Sequence, residues 1–352
     1  MARKIGISFM IAISFLILHL QTTAFGKADI ENINYQNGTK AECFTVSKEK
    51  SYAINVSVAN VWSKTNQSRK EDSLSVQVMP DMAKWTKGLS VAQKNGLIGR
   101  LDTQALYGDE IAVLESKGEW LRIAVKDQQK PDNPKGYEGW VRKAHVTEVK
   151  TNYTGCPIAI VNAKMTTLYN ESKLSDKYAF LPVSYTTILP VAGEKGDWLR
   201  VGTPADGLKY IRKQDVKVYS DFNAVPKPAA EEIVNAAKQY IGLPYLWAGI
   251  SAYGFDCSGL TYSIYKNHGI LLPRDSGDQA KVGMAVKRSQ LKQGDLLFFA
   301  HQKGKGKVYH VGMYIGDGKM VHAPNSSKKV EIVSIHTGTF KTNFAGARRY
   351  LK

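Results

Sequence analysis

Tyr253-Gly254-Phe255-Asp256-Cys257-Ser258-Gly259 is the stretch on which the reading of this chain turns. It runs into residues 260–266, a segment with helical character. A thiol at the start of a helix sits at the positive end of the helix dipole, which favours thiolate over thiol. Such positions bring a cysteine pKa from about 8.5 to between about 3.5 and 7.5. Cys257 is therefore a candidate nucleophile, against the ordinary alternative of a small buried apolar side chain.

A nucleophile needs a base. His19 lies in an apolar leader and His145 in a separate β segment, which leaves His268, His301, His310, His322 and His336. His310 opens His310-Val311-Gly312-Met313-Tyr314-Ile315-Gly316, and His322 lies in Met320-Val321-His322-Ala323-Pro324. Strands are expected at residues 296–300, 311–315 and 320–323, with Asp317-Gly318 as the turn between the last two. Both histidines then fall on neighbouring strands. A regular two-residue turn, however, sets His322 opposite Met313 and leaves His310 on the other face. Both serve one site only if a bulge, a wider loop or a strong twist intervenes.

Upstream, residues 230–241 carry Ile233, Ala236, Ala237, Tyr240 and Ile241 at helical spacing and end at Gly242. Pro226-Lys227-Pro228 breaks the chain ahead of them, as a linker does. Before the linker the chain repeats itself. Gly118-Glu119-Trp120-Leu121-Arg122 returns as Gly196-Asp197-Trp198-Leu199-Arg200, 78 residues later. Short runs rich in Val, Ile, Tyr and Trp surround both copies, and they read as two small antiparallel barrels or sandwiches. The spacing is too long for a solenoid unit. An insertion at about residues 79–100 of the first copy is expected to be partly helical. Trp120 and Trp198 are expected in the two cores.

At the N-terminus, Arg3 and Lys4 precede an apolar run over residues 5–20, with small residues near Ala24-Phe25-Gly26. That pattern describes a secretory signal over residues 1–26. Ser8, Ser14 and His19 interrupt the run, which falls short of the roughly 20 apolar residues of a membrane span. No stable membrane span is expected after cleavage, and an exported protein is not expected to meet nucleic acid. This bears on the charge, because 48 Lys+Arg against 31 Asp+Glu give +17. Residues 223–352 alone hold 18 basic and 8 acidic residues. Lys303, Lys305 and Lys307 run up to His310, and Lys328 and Lys329 follow His322. Such a field would steer carboxylate-bearing ligands. Three cysteines exclude a disulfide-stapled scaffold and a four-cysteine zinc site. No metal or cofactor motif stands out. Cys43 and Cys156 can pair after export, but sequence does not fix their separation.

Residues 228–352 resemble the NlpC/P60 family of papain-like cysteine peptidases. The matching pieces, in order, are Gly242-Leu243-Pro244-Tyr245-Leu246-Trp247, Phe255-Asp256-Cys257-Ser258-Gly259, Pro273-Arg274, Gln279, Gly294-Asp295-Leu296, His310-Val311-Gly312 and His322. Ala248 stands where most of the family has glycine. The two repeats resemble bacterial SH3 domains, although the second lacks the Gly139-Trp140 pair of the first. The expected organisation is α+β: a signal peptide (1–26), a first SH3-like domain with an insertion (27–150), a second (151–222), and a catalytic domain (223–352). As a whole the mature chain is similar to secreted Bacillus-type γ-D-glutamyl-L-diamino acid endopeptidases.

That resemblance implies roles. Cys257 would be the nucleophile, His310 the general base and acid, and His322 the residue orienting His310. The Cys257 backbone N–H and the Tyr245 hydroxyl would hold the oxyanion. Asp275, with Tyr137 closing the pocket and Asp102 assisting, would hold a free N-terminal L-Ala amine. Trp247, Asp256, Ser258 and Ser276 would line the pocket. The implied substrates are peptidoglycan stem peptides of the L-Ala-γ-D-Glu-diaminopimelate type, cut outside the cell or at the cell wall, with no cofactor. Two alternatives stay open: a lytic hydrolase of intact peptidoglycan whose SH3-like pair binds the wall, and a wall-binding protein without activity.

Overall fold

Seven strands carry the first copy of the repeat: β1 (Tyr52–Ile54), β2 (Val58–Trp62), β3 (Leu101–Leu106), β4 (Glu110–Lys117), β5 (Trp120–Val125), β6 (Tyr137–Arg142) and β7 (Val146–Glu148). Seven carry the second: β8 (Ile158–Val161), β9 (Met165–Tyr169), β10 (Ala179–Ser184), β11 (Ile188–Lys195), β12 (Trp198–Gly202), β13 (Leu208–Arg212) and β14 (Val216–Tyr219). The first sheet runs β3-β2-β6-β5-β4-β1-β7 and the second β10-β9-β13-β12-β11-β8-β14, one permutation used twice. Alternate residues of each sheet meet in a single core, Val61, Ala105, Ile123 and Val141 in one and Leu168, Val183, Val201 and Ile211 in the other. Each sheet is thus curled around its own apolar centre. Trp120 is buried, whereas Trp198 is only half-buried, with Tyr169 edge-on at 5.3 Å between ring centroids.

The computed structural model of the chain describes Cys43, residues 45–47 and residues 49–351. The expected leader, residues 1–26, lies outside the described residues. Cys43 and Cys156 form a disulfide with a Cα–Cα distance of 5.0 Å. The insertion holds α1 (Met82–Gly88) and α2 (Val91–Asn95), capped by Asp81 and Ser90. Trp85 of α1 is buried and donates its indole N–H to Asp72 at 3.1 Å.

After the linker come α3 (Ala230–Lys238), α4 (Cys257–Asn267) and a sheet made of β15 (Met284–Val286), β16 (Leu296–Ala300), β17 (Val308–Gly316), β18 (Lys319–His322), β19 (Glu331–Ser334) and β20 (Phe344–Arg349). The sheet order is β15-β20-β16-β17-β18-β19. Its strands alternate as a two-sided sheet must. Leu296, Phe298, Val311, Met313 and Val321 join the core of Ile233, Ala237, Leu260 and Ile264 from the two helices. Leu297, Phe299, Met320 and Ala347 form a second cluster on the other face. Each of the larger of these side chains, from Val to Phe, contributes roughly 1.5–3 kcal/mol by leaving water. Ala248, the departure noted above, is buried at φ 65°, a left-handed conformation that a glycine adopts without steric cost.

Candidate active site

Asp256 caps α4. Its Oδ1 accepts from Gly259 N at 2.6 Å and from the Ser258 hydroxyl at 3.1 Å. Such a cap is worth about 1 kcal/mol, and it sets Cys257 on the first turn. The carboxylate is itself held by buried Arg274, Nη2 to Oδ2 at 2.7 Å and Nη1 to Oδ1 at 3.2 Å. Arg274 also donates to Ser258 at 2.9 Å and, across to the first barrel, from Nε to the Thr103 hydroxyl at 2.9 Å. Removing one partner of a buried ion pair costs about 3–5 kcal/mol, so this cation fixes the helix start and the barrel together. The sequence marks Arg274 only as part of the Pro273-Arg274 piece of the family resemblance; its pairing with Asp256 and Thr103 was not legible there.

Cys257 is a free thiol, partly open to the cleft. Burial, with the Asp256 charge adding to it, pushes the thiol up to about 12. The Val311 N–H, Arg274 and the Ser258 N–H pull the other way. The downward pull expected from the helix start is therefore outweighed, because desolvation of a thiolate costs more than these donors return. His310 is pushed down to about 3 by burial and by the charge of His322. Both shifts favour the neutral thiol beside the neutral imidazole.

The parity conflict between the two histidines is resolved by a bulge. Gly316 pairs with Lys319, but Tyr314 pairs with Met320 and Met313 with Val321, so Ile315 is the extra residue. One added residue moves every later side chain to the opposite face. His322 thereby joins the face of His310, whose Nε2 lies 2.8 Å from His322 Nδ1. Gly312 makes room for this pair. A Cβ there would lie 3.2 Å from His322 Cβ and 2.6 Å from Met320 Sδ. His322 is pushed down to about 4 by burial and by Lys328. Its Nε2 is buried without a hydrogen bond, 3.7 Å from Glu331 Oε1.

Cys257, His310 and His322 line one cleft of about 1200 Å³ together with Tyr137, Tyr245, Trp247, Asp256, Ser258, Asp275 and Ser276, and with Asp102. The cleft has an acidic end. The Tyr137 hydroxyl donates to Asp275 at 3.2 and 3.3 Å, and Lys130 lies 3.5 Å from the same carboxylate and 4.4 Å over the Tyr137 ring. Asp102 is pushed up to about 6 by burial and by Asp275, with Lys130 opposing. Trp247 donates its indole N–H to Leu101 O at 2.7 Å, a second tie to the first barrel. Tyr245 is buried, and burial beside Cys257 and Asp256 holds its hydroxyl protonated. Lys307 and Lys328 also line the cleft. Of the other histidines, His301 also lines the cleft, while His145 bonds Gln77 O and His268 bonds Ile264 O. Among the described residues no group of His, Cys, Asp and Glu could hold a metal ion, and no helix is long and apolar enough to cross a membrane. Sequence reading missed Lys130 and Glu331, whose placement depends on loop path and strand register.

A thiol on the first turn of a helix, beside a histidine pair on the adjoining sheet, is the class of site found in papain-like cysteine peptidases. The NlpC/P60 family matches residues 242–349, and the YKFC SH3b2 domain matches residues 161–219. The chain is 42% identical over 308 residues to a γ-D-glutamyl-L-lysine dipeptidyl-peptidase of Bacillus cereus, covering 86% of this chain and 92% of that one. It is 34% identical over 294 residues to the protein of that name from Bacillus subtilis, covering 83% and 96%. A crystal structure of an NlpC/P60 family protein from Bacillus cereus superposes with a TM-score of 0.81 at 42% identity, covering 86% of this chain and all of that one. This chain belongs to the NlpC/P60 family of cysteine peptidases, with SH3-like β domains ahead of the catalytic unit.

Proposed function

We propose that this chain is a secreted endopeptidase that hydrolyses the bond between γ-D-glutamate and the following diamino acid in peptidoglycan stem peptides, and that it requires a free N-terminal L-Ala amine. The relatives named for the γ-D-glutamyl-L-lysine bond support the bond type. The observation that carries the amine requirement is the Tyr137–Asp275 contact, with Asp102 beside it. Two carboxylates and one lysine leave the acidic end short of one positive charge. A substrate ammonium supplies it, whereas an N-acylated or glycan-linked stem leaves a carboxylate unpaired and desolvated.

In this reading His310 takes the Cys257 proton as sulfur attacks the γ-carbonyl. Burial disfavours separating charge between Cys257 and His310 before substrate is bound. The Cys257 N–H and the Tyr245 hydroxyl hold the oxyanion, and each such donor is worth roughly 100- to 1000-fold in rate. Collapse breaks the C–N bond, and His310 returns the proton to the leaving amine. Water, deprotonated by His310, then hydrolyses the thioester. His322 holds the His310 ring through its Nδ1. Lys307 and Lys328 favour the carboxylates of the released diamino acid end.

The test is product analysis on L-Ala-γ-D-Glu-L-Lys and its diaminopimelate counterpart, each with a free and an acetylated amine. A preference of about 100-fold or more for the free amine is expected, since a site built around a polar partner rejects analogues that leave it unpaired. Equal rates on the free and acetylated forms, or on intact wall, would overturn the amine requirement.

A further inference from the structure

The geometry points to Glu331 as a positioning residue that fixes the tautomer of His322 and, through it, that of His310. The inference rests on the catalytic reading of His310 and His322. Glu331 is the direct cross-strand partner of His322 in the β18–β19 pairing. Its Oε1 is 3.7 Å from His322 Nε2, a buried nitrogen with no hydrogen bond.

Proton bookkeeping gives the contact its meaning. For His310 to accept the Cys257 proton on Nδ1, its own proton must sit on Nε2. That N–H then donates to His322 Nδ1, 2.8 Å away. His322 is left with its proton on Nε2, where only an acceptor can follow. An unsatisfied buried N–H costs about 1–3 kcal/mol, and Glu331 is the carboxylate placed to relieve it. If His322 carried its proton on Nδ1 instead, His310 Nε2 would have to accept and its Nδ1 would carry the proton. The base would then be blocked. The Glu331 carboxylate therefore selects the productive arrangement.

In the resting structure the carboxylate is divided. Lys328 Nζ lies 2.8 Å from the same Oε1 and holds it back from His322. The charged or titratable groups facing His322 are His310, Glu331 and Lys328, and the Phe340 ring meets its edge. As His310 gains a proton during turnover, the positive charge shared along the histidine pair draws the carboxylate inward. Glu331 lines the cleft beside His322, and because it acts through the histidine pair its effect is expected on kcat rather than on KM.

Glu331→Ala and Glu331→Gln test this. Glu331 is partly exposed on an edge strand, so neither substitution opens a core. In Glu331→Ala, kcat on the free-amine tripeptide is expected to fall roughly 10- to 100-fold with KM nearly unchanged, the loss typical of a charge-assisted hydrogen bond. Glu331→Gln, whose amide oxygen still accepts, is expected to recover part of that loss. Nitrogen-15 spectra of the free protein should show His322 protonated on Nε2 in the wild type and a mixture of tautomers in Glu331→Ala. Wild-type kcat in Glu331→Ala, or an unchanged His322 tautomer, overturns the proposal. The spectra read the tautomer without turnover, so they decide this point even if Cys257→Ala were to retain activity and the catalytic reading itself fell.

Discussion

The two barrels share a strand order and a register, yet only one reaches the cleft. Trp62 pairs with Trp140 in the first, and Tyr169 with Tyr210 in the second. Both carry a bulge at the same place. Asp102 is the extra residue between the Val61–Thr103 and Trp62–Leu101 pairs, and Phe180 is the extra residue between Leu168–Leu181 and Tyr169–Ala179. In the first barrel that bulge aims an acid into the cleft. In the second it aims an aromatic ring under Lys209, 4.6 Å from the ring centroid. Tyr137 likewise has Gly207 as its counterpart, counting back from Arg142 and Arg212 opposite the two tryptophans. A duplicated scaffold has thus been put to unequal use: both copies brace α4, the first through buried Lys266 and Asp109 at 3.3 Å and the second through Asn267, which donates to Val161 O at 2.9 Å, but only the first also lines the cleft.

Three substitutions grade this contrast. Cys257→Ala sets the floor, with turnover of the free-amine tripeptide expected to fall about 10⁴-fold or more while the melting temperature holds. Turnover within tenfold of wild type would mean that neither barrel closes the site of reaction. Asp102→Asn is next, with kcat/KM expected to drop about 10-fold. Its pH profile is the sharper readout. Asp102 is held up to about 6, so it loses its charge as pH falls through that value. KM in the wild type should therefore rise below about pH 6 with kcat steady, and Asp102→Asn should lack that limb. The limb persisting in Asp102→Asn would assign it elsewhere. The smallest effect belongs to Phe180→Ala at the matching bulge, where kcat/KM should stay within about twofold. A loss as large as that of Asp102→Asn would erase the division of labour between the copies.

How much of this was legible depends on the range of the interaction. The helix start at Cys257, the strands around His310 and His322, and the repeat were readable because period and turn residues are local signals. The helix expected over 230–241 ends at Lys238, a boundary that fraying decides. Parity showed that a regular hairpin could not unite the histidines, but it could not choose among bulge, loop and twist. Asp256 and Ser258 were expected as pocket lining. They do line it, and their hydrogen bonds also cap α4 and hold Arg274. Lys130 and Glu331 escaped because one depends on the path of a loop and the other on the pairing of an edge strand. Neither leaves a periodic trace.

The extra residue at Ile315 also governs which length changes this hairpin tolerates. Deleting one residue between His310 and His322 would restore a regular ladder. The sheet would survive while His322 turned to the far side. Lengthening the Asp317-Gly318 turn without disturbing the bulge would leave both rings where they are. Drift in this hairpin is therefore filtered by place: the turn accepts added residues, whereas the paired stretch keeps the histidines together only while it holds its one extra residue.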